Sequence, residues 1–258
     1  QKTAYEIRNC DWSSDVCSSD LAVLAVIPAR LAATRLPHKP LADLEGAPMV
    51  VRVWQQVCRA RTISTALIAT EDIEISVAVG VFGAPVVMTG ACRNGTERVL
   101  QVALERSEEE IVNVQGDEPR IDPRHIDAVV EGLARWEVVT AATPLADPRD
   151  PSRVKVVQDP TGRALYFSRQ PIPHRGPWWQ HLGLYAFRRS ALEKIARLSP
   201  SPLEQSEGLE QLRWLEAGIS IGILPVEHAF PGVDTPEDLE QTRAWFRSHQ
   251  QNVDPPTQ

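Results

Sequence analysis

Short apolar runs rich in β-branched residues alternate along the chain with stretches whose apolar positions recur every three or four residues. That is the pattern of a mostly parallel sheet covered by helices. The first run, 22–27 (AVLAVI), predicts a strand. Val50, Val53, Trp54 and Val57 then fall at i, i+3, i+4 and i+7, so the spacing predicts a helix over 48–59 that buries this stripe. Residues 66–70 and 85–89 read as two further strands. Asn94 followed by Glu97 marks a capped helix start, with Glu97 the reciprocal partner of the cap and the helix running through 105. A buried strand over 111–115 follows.

Asp122 and Pro123 supply an N-cap and a first-turn proline, and Ile126, Val129, Val130 and Leu133 define the apolar face of the helix they open. Residues 138–145 return to the sheet. VKVV (154–157), ALYFS (164–168) and HLGLYAF (181–187) are three strand-like runs with no long helix between them, which predicts a small antiparallel extension. A helix over 209–217 stopped by Gly218, a strand over 219–226, and a helix opened by Thr235, Pro236 and Asp238 complete the sequence of elements. The inner face of this last helix is Leu239, Thr242 and Phe246. No internal repeat is present, so one α/β domain over 21–247 is expected. The first twenty residues lack any periodicity and repeat the fragment SSD, and are expected to be a non-native or disordered leader. Residues 248–258 are polar with two adjacent prolines and are expected to form a loose tail.

Composition narrows the partners. Lys and Arg total 27 against 34 Asp and Glu, a formal charge of −7. No basic block is long enough to follow a phosphate backbone, so no nucleic-acid partner is expected. The longest apolar run, 21–28, is far below the roughly 20 residues that cross a bilayer, so no membrane partner is expected either. Four cysteines without C-x-x-C spacing fit a reducing cytoplasm better than a disulfide scaffold or a zinc site.

Candidate chemistry begins where the first strand ends. PARLAATRLPHKPL (28–41) carries Arg30, Arg35 and Lys39 with little bulk between them, and loops at the carboxyl ends of strands in an open α/β sheet sit over the ligand site. Three cations suit a triphosphate, whose charge they offset and whose leaving pyrophosphate they stabilise; on charge count alone the loop reads rather as a solvated basic segment, the default for surface Arg and Lys. Neither G-x-G-x-x-G nor G-x-x-x-x-G-K-[ST] occurs, which argues against a dinucleotide oxidoreductase and a P-loop kinase. D-x-D is absent too. NVQGDEP (113–119) places Asp117 and Glu118 just after a buried strand, where a hard oxygen ligand suits magnesium. Asp234, in PGVDTPEDL, is a second carboxylate for the same ion, although each aspartate alone fits a turn or helix start.

Taken in order, PARLAATRLPHKPL, NGTER, NVQGDEP, ALYFSR, HLGLYAF, PSPLEQSEGLEQLR and PGVDTPEDL resemble the 3-deoxy-manno-octulosonate cytidylyltransferase (CMP-Kdo synthetase) family over about 21–246. The resemblance implies a three-layer, mostly parallel Rossmann-like nucleotidyltransferase sheet. It also implies an enzyme that joins CTP and Kdo, with magnesium, into CMP-Kdo and pyrophosphate for lipopolysaccharide synthesis, as a cytoplasmic homodimer. By motif, Arg30 and Lys39 correspond to triphosphate ligands with Arg35 beside them, and Pro28 and Ala29 to backbone along the nucleotide. Asp117 and Asp234 correspond to the magnesium carboxylates. Arg93, Asn94, Gly95 and Thr96 with Gln115 correspond to the cytosine and ribose pocket. Arg169, His181, Tyr185, Glu210 and Gln211 lie in the sugar-acid blocks, Arg169 facing the Kdo carboxylate. Three positions depart from the family pattern: Ala33 and Asn94 replace serines, and Glu71 replaces an aspartate.

Overall fold

The computed structural model describes residues 22–32 and 36–249. The expected leader, most of the expected tail, Ala33 and Arg35 lie outside these residues. The chain runs β1 (Val23–Pro28), α1 (Met49–Val57), β2 (Thr65–Thr70), α2 (Ile73–Gly80), β3 (Val86–Met88), α3 (Gly95–Leu104), β4 (Glu110–Asn113) and α4 (Pro123–Glu131). It continues with β5 (Val138–Leu145), β6 (Lys155–Gln158), β7 (Ala164–Ser168), β8 (Trp178–Arg188), α5 (Arg189–Ala196), α6 (Pro202–Glu207), α7 (Gln211–Glu216), β9 (Ile221–Pro225) and α8 (Pro236–His249).

The main path of the sheet is β3-β2-β1-β4-β8-β5-β9, with every neighbouring pair parallel except those made by β8. Alternate residues of β1 point into two separate cores. Val23, Ala25 and Ile27 meet α1, α2 and α4, whereas Leu24 and Val26 meet α3, α5 and α7. A strand covered on both faces must be apolar at every position, which is why 22–27 reads as an unbroken run. The result is the expected three-layer α/β domain.

The antiparallel segment needs correction. β8 is not part of an extension but a central strand, paired with β4 along 110–113 and with β5 along 138–145. Only the β6–β7 hairpin stands off the main path, pairing with β8 through Lys155 and Val156. Three helices also appear where none was expected: α2, α5 and α6. In α3, Asn94 accepts from the Glu97 N–H (2.9 Å) as expected, but the Glu97 carboxylate returns to the Arg93 N–H (2.8 Å) rather than to the cap residue. The strand expected over 111–115 ends at Asn113, leaving Gln115 in the following loop.

Candidate active site

The carboxyl ends of β1 and β4 border a cavity of about 350 Å³, which the start of α3 and Asp234, ahead of α8, also line. Its lining includes Pro28, Ala29, Arg30, Lys39, Asn94, Gly95, Gln115, Asp117 and Asp234. Nine positions singled out in four separate motifs therefore line one cavity. The chain approaches itself closely here: a Cβ on Gly116 would lie 2.8 Å from the Pro28 carbonyl oxygen, and one on Gly95 3.2 Å from the Pro28 ring. Two glycines let the β1 end, the β4 end and α3 meet.

Lys39 is the centre of charge. Its Nζ donates to Asp117 Oδ2 at 2.6 Å and to Asp234 Oδ1 at 3.0 Å, joining residues 78 and 195 positions away. Burial alone would lower the lysine pKa, but the charge and hydrogen bonds of the two aspartates outweigh it and hold the ammonium above its usual value. Next to Asp117, burial reinforced by that aspartate's charge pushes the Glu118 carboxyl up to about 8.

Gln115 presents a fixed amide. Its Nε2 donates to Asn113 Oδ1 (3.2 Å) and to the Gly183 carbonyl (3.4 Å), which leaves Oε1 as the acceptor on the Gly95 side of the cavity. Asn94, lining the same cavity, spends its Oδ1 on the α3 cap. Cys92 and Arg98 also line it and were not anticipated. Arg98 is 2% exposed and donates to Thr89 and to Glu71 (3.0 Å); its place one turn after Asn94 was the available signal. Arg93 is not brought to the cavity: it lies at the surface, paired with Glu97.

The five expected sugar residues lie outside this lining, on adjoining elements. On β8, His181, Gly183 and Tyr185 alternate onto one face, and the missing side chain of Gly183 accommodates Gln115. His181 Nε2 lies 3.0 Å from Thr140 Oγ1, a hydroxyl that also faces the carbonyls of Leu182 (3.0 Å) and Leu184 (2.7 Å). Burial pushes its pKa down to about 3. Tyr185 packs among His181, Phe187 and Trp214, yet its hydroxyl has no partner. Glu210 accepts from Thr96 Oγ1 (2.5 Å), while its second oxygen is buried without a partner. Burial raises the carboxyl pKa, against the opposing effects of Thr96 and Arg213. Gln211 is buried at the start of α7. Arg169 departs most from expectation: its guanidinium is held by the carbonyls of Glu207 (3.0 Å), Pro151 (3.2 Å) and Gly208 (3.5 Å). In this arrangement it ties β7 to the α6–α7 turn rather than facing a carboxylate.

A family profile described as cytidylyltransferase matches residues 24–221. This chain belongs to the cytidylyltransferase family. A relative from Geobacter sulfurreducens named 3-deoxy-manno-octulosonate cytidylyltransferase is 43% identical over 242 residues, 85% of this chain and 97% of that one. A relative from Arabidopsis thaliana bearing the same name with the qualifier mitochondrial is 40% identical, over 87% of this chain and 83% of that one. Among solved structures, that of a CMP:2-keto-3-deoxy-manno-octonic acid synthetase complexed with CTP superposes with a TM-score of 0.85 at 37% identity, covering 88% of this chain and 99% of the other. This cytidylyltransferase therefore shares its whole fold with a CTP-bound relative. No described helix is long and apolar enough to cross a membrane.

Proposed function

We propose that the cavity is where this cytidylyltransferase joins CTP to the sugar acid Kdo, releasing pyrophosphate and CMP-Kdo. The observation that carries this reading is the convergence of Lys39, Asp117 and Asp234 beside Arg30 at the open carboxyl ends of the strands. In the reaction, the anomeric hydroxyl of the sugar attacks the α-phosphorus in line, and the bond from that phosphorus to the bridging oxygen breaks as pyrophosphate leaves. Catalysis of this kind is mainly positioning and charge stabilisation. Arg30 and Lys39 neutralise the triphosphate and the leaving group. Pro28, Ala29 and Gly95 lie against the nucleotide, and Gln115 Oε1 accepts from the exocyclic amine of cytosine, a donor that uracil lacks.

The two aspartates fit magnesium. Their oxygens face one point, where Lys39 Nζ now stands. Magnesium binds through one or two carboxylates, completing its shell with phosphate oxygens and water. When bound, the ion supplies charge neutralisation on the phosphates and acidifies the attacking hydroxyl.

The sugar acid is assigned to the face carrying His181, Tyr185 and Glu210, with Gln211 behind it. The orphaned Tyr185 hydroxyl and Glu210 oxygen are the support: buried polar atoms without protein partners suit a ligand rich in hydroxyls. As part of the same proposal, the enzyme acts as a cytoplasmic homodimer that supplies activated sugar for lipopolysaccharide; sedimentation equilibrium tests the dimer. The acceptor is tested by comparing turnover of Kdo, 8-amino-Kdo and a sialic acid with CTP. At least tenfold preference for Kdo supports the assignment, and equal or better use of another acid overturns it.

A further inference from the structure

The α2 helix begins at Asp72, in the position where an aspartate ordinarily turns its carboxylate onto its own helix. It does not do so here. Asp72 Oδ2 instead accepts from the backbone N–H of Leu31 at 2.8 Å, across 41 residues of sequence. Its own N–H is held by Thr70 Oγ1 at 3.1 Å, which fixes the residue at the end of β2. Leu31 directly follows Arg30, and Ala32 after it lines the cavity. One residue before Arg30, the Ala29 N–H donates to Ala69 on β2 at 2.9 Å. β2 and its extension thus grip the chain on both sides of Arg30, once with a carbonyl and once with a carboxylate.

We infer that Asp72 is a positioning residue for the triphosphate: by fixing the Leu31 amide it sets where Arg30 and Ala32 stand at the cavity. Its neighbour Glu71 does a separate task, pairing with Arg98 (3.0 Å) on the α3 side. The inference rests on the cavity's proposed use of CTP, but the tether itself is a property of the fold. The carboxylate strengthens it, because hydrogen bonds to charged groups are the stronger ones.

The test compares wild type with Asp72→Ala, Asp72→Asn and Glu74→Ala. Glu74 lies exposed in the first turn of α2 and controls for effects on that helix alone. Asp72→Ala is expected to raise KM for CTP about tenfold or more, the size expected for losing a bond to a charged acceptor, with KM for the sugar acid changing less than twofold. Asp72→Asn, which retains an acceptor oxygen, is expected to recover most of the loss. Glu74→Ala is expected to match wild type. Hydrogen exchange at the Leu31 amide reads the tether without any turnover, and is expected to accelerate at least tenfold in Asp72→Ala alone. An Asp72→Ala enzyme with a lower melting temperature but an unchanged KM for CTP overturns the inference, as does unchanged exchange at Leu31. A wild-type protein inactive with CTP overturns the proposed function instead, and leaves the exchange result to decide whether the tether exists.

Discussion

Replacing Lys39 with methionine separates the two tasks assigned to its ammonium. Methionine keeps length and apolar volume but leaves Asp117 and Asp234 facing each other without the cation between them. The lysine side chain is 16% exposed and the two aspartates 32% and 43%. The pair thus stands between surface ion pairs, worth at most about 1 kcal/mol, and fully buried ones, whose breaking costs about 3–5 kcal/mol. A loss of about 2 kcal/mol follows, which in a domain of this size lowers the melting temperature by roughly 4–8 °C. Because the folded pKa of Lys39 lies above the ordinary lysine value, its contribution is fully present below that value and fades only as pH rises past it. The difference between wild type and variant should therefore stay constant from pH 6 to pH 9. Turnover should suffer far more. Removing one preorganised donor from a transition state that builds negative charge costs about 100- to 1000-fold in kcat. Calorimetric melting and a pyrophosphate-release assay measure both. A Lys39→Met enzyme within about threefold of wild type in kcat/KM refutes the role given to the ammonium, even if its melting temperature falls.

Three other outcomes follow from the geometry. Tyr185→Phe removes a buried hydroxyl that has no partner, so folding should be unchanged or gain up to about 1 kcal/mol, while KM for the sugar acid rises; a variant less stable but kinetically normal would place the hydroxyl in the fold instead. Gly116→Ala forces a Cβ to 2.8 Å from the Pro28 carbonyl; it should cost about 1–3 kcal/mol and raise KM for CTP, and an unperturbed variant would contradict the tight meeting of β1 and β4. His181, with its pKa pushed down to about 3 by burial, stays neutral in the folded state over a range where the unfolded chain takes up a proton. Stability should therefore fall as pH drops from about 6.5 toward 3; urea midpoints for wild type and His181→Gln check this, the variant being the flatter, and parallel curves would reject the assignment.

Local signals carried much of the fold. β1, β5, α4 and the inner face of α8 follow directly from apolar runs, caps and periodicity, because each element buries what its own sequence advertises. α2 was invisible for the opposite reason: apolar residues surround it, so Ile73 and Val77 lie outside while Ile75 and Val79 lie inside, and no polar stripe marks a period. α6 did carry a signal, the reciprocal Ser201–Glu204 cap with Pro202 and a left-handed Gly208 at its end, in a stretch of only six helical residues. The place of β8 was not legible, since an apolar strand states its burial but not its neighbours. The cavity residues were found through their motifs, whereas the Lys39 bridge between Asp117 and Asp234 joins positions far apart in sequence and needed the fold. Arg169 shows the converse limit: its residue type suits a carboxylate, yet three of its five N–H donors already meet backbone carbonyls. Arg98 and Asp72 act through buried or long-range bonds that a charge pattern does not reveal.

Pyrophosphate release from the folded protein with Kdo, comparing CTP with UTP, ATP and GTP, each with and without magnesium, tests the proposed reaction most directly. Release is expected to require CTP, Kdo and magnesium together, with UTP poorer by at least tenfold because Gln115 offers its base an acceptor where it needs a donor. Release that is indifferent to the nucleotide, or none with any of the four, would contradict that reaction.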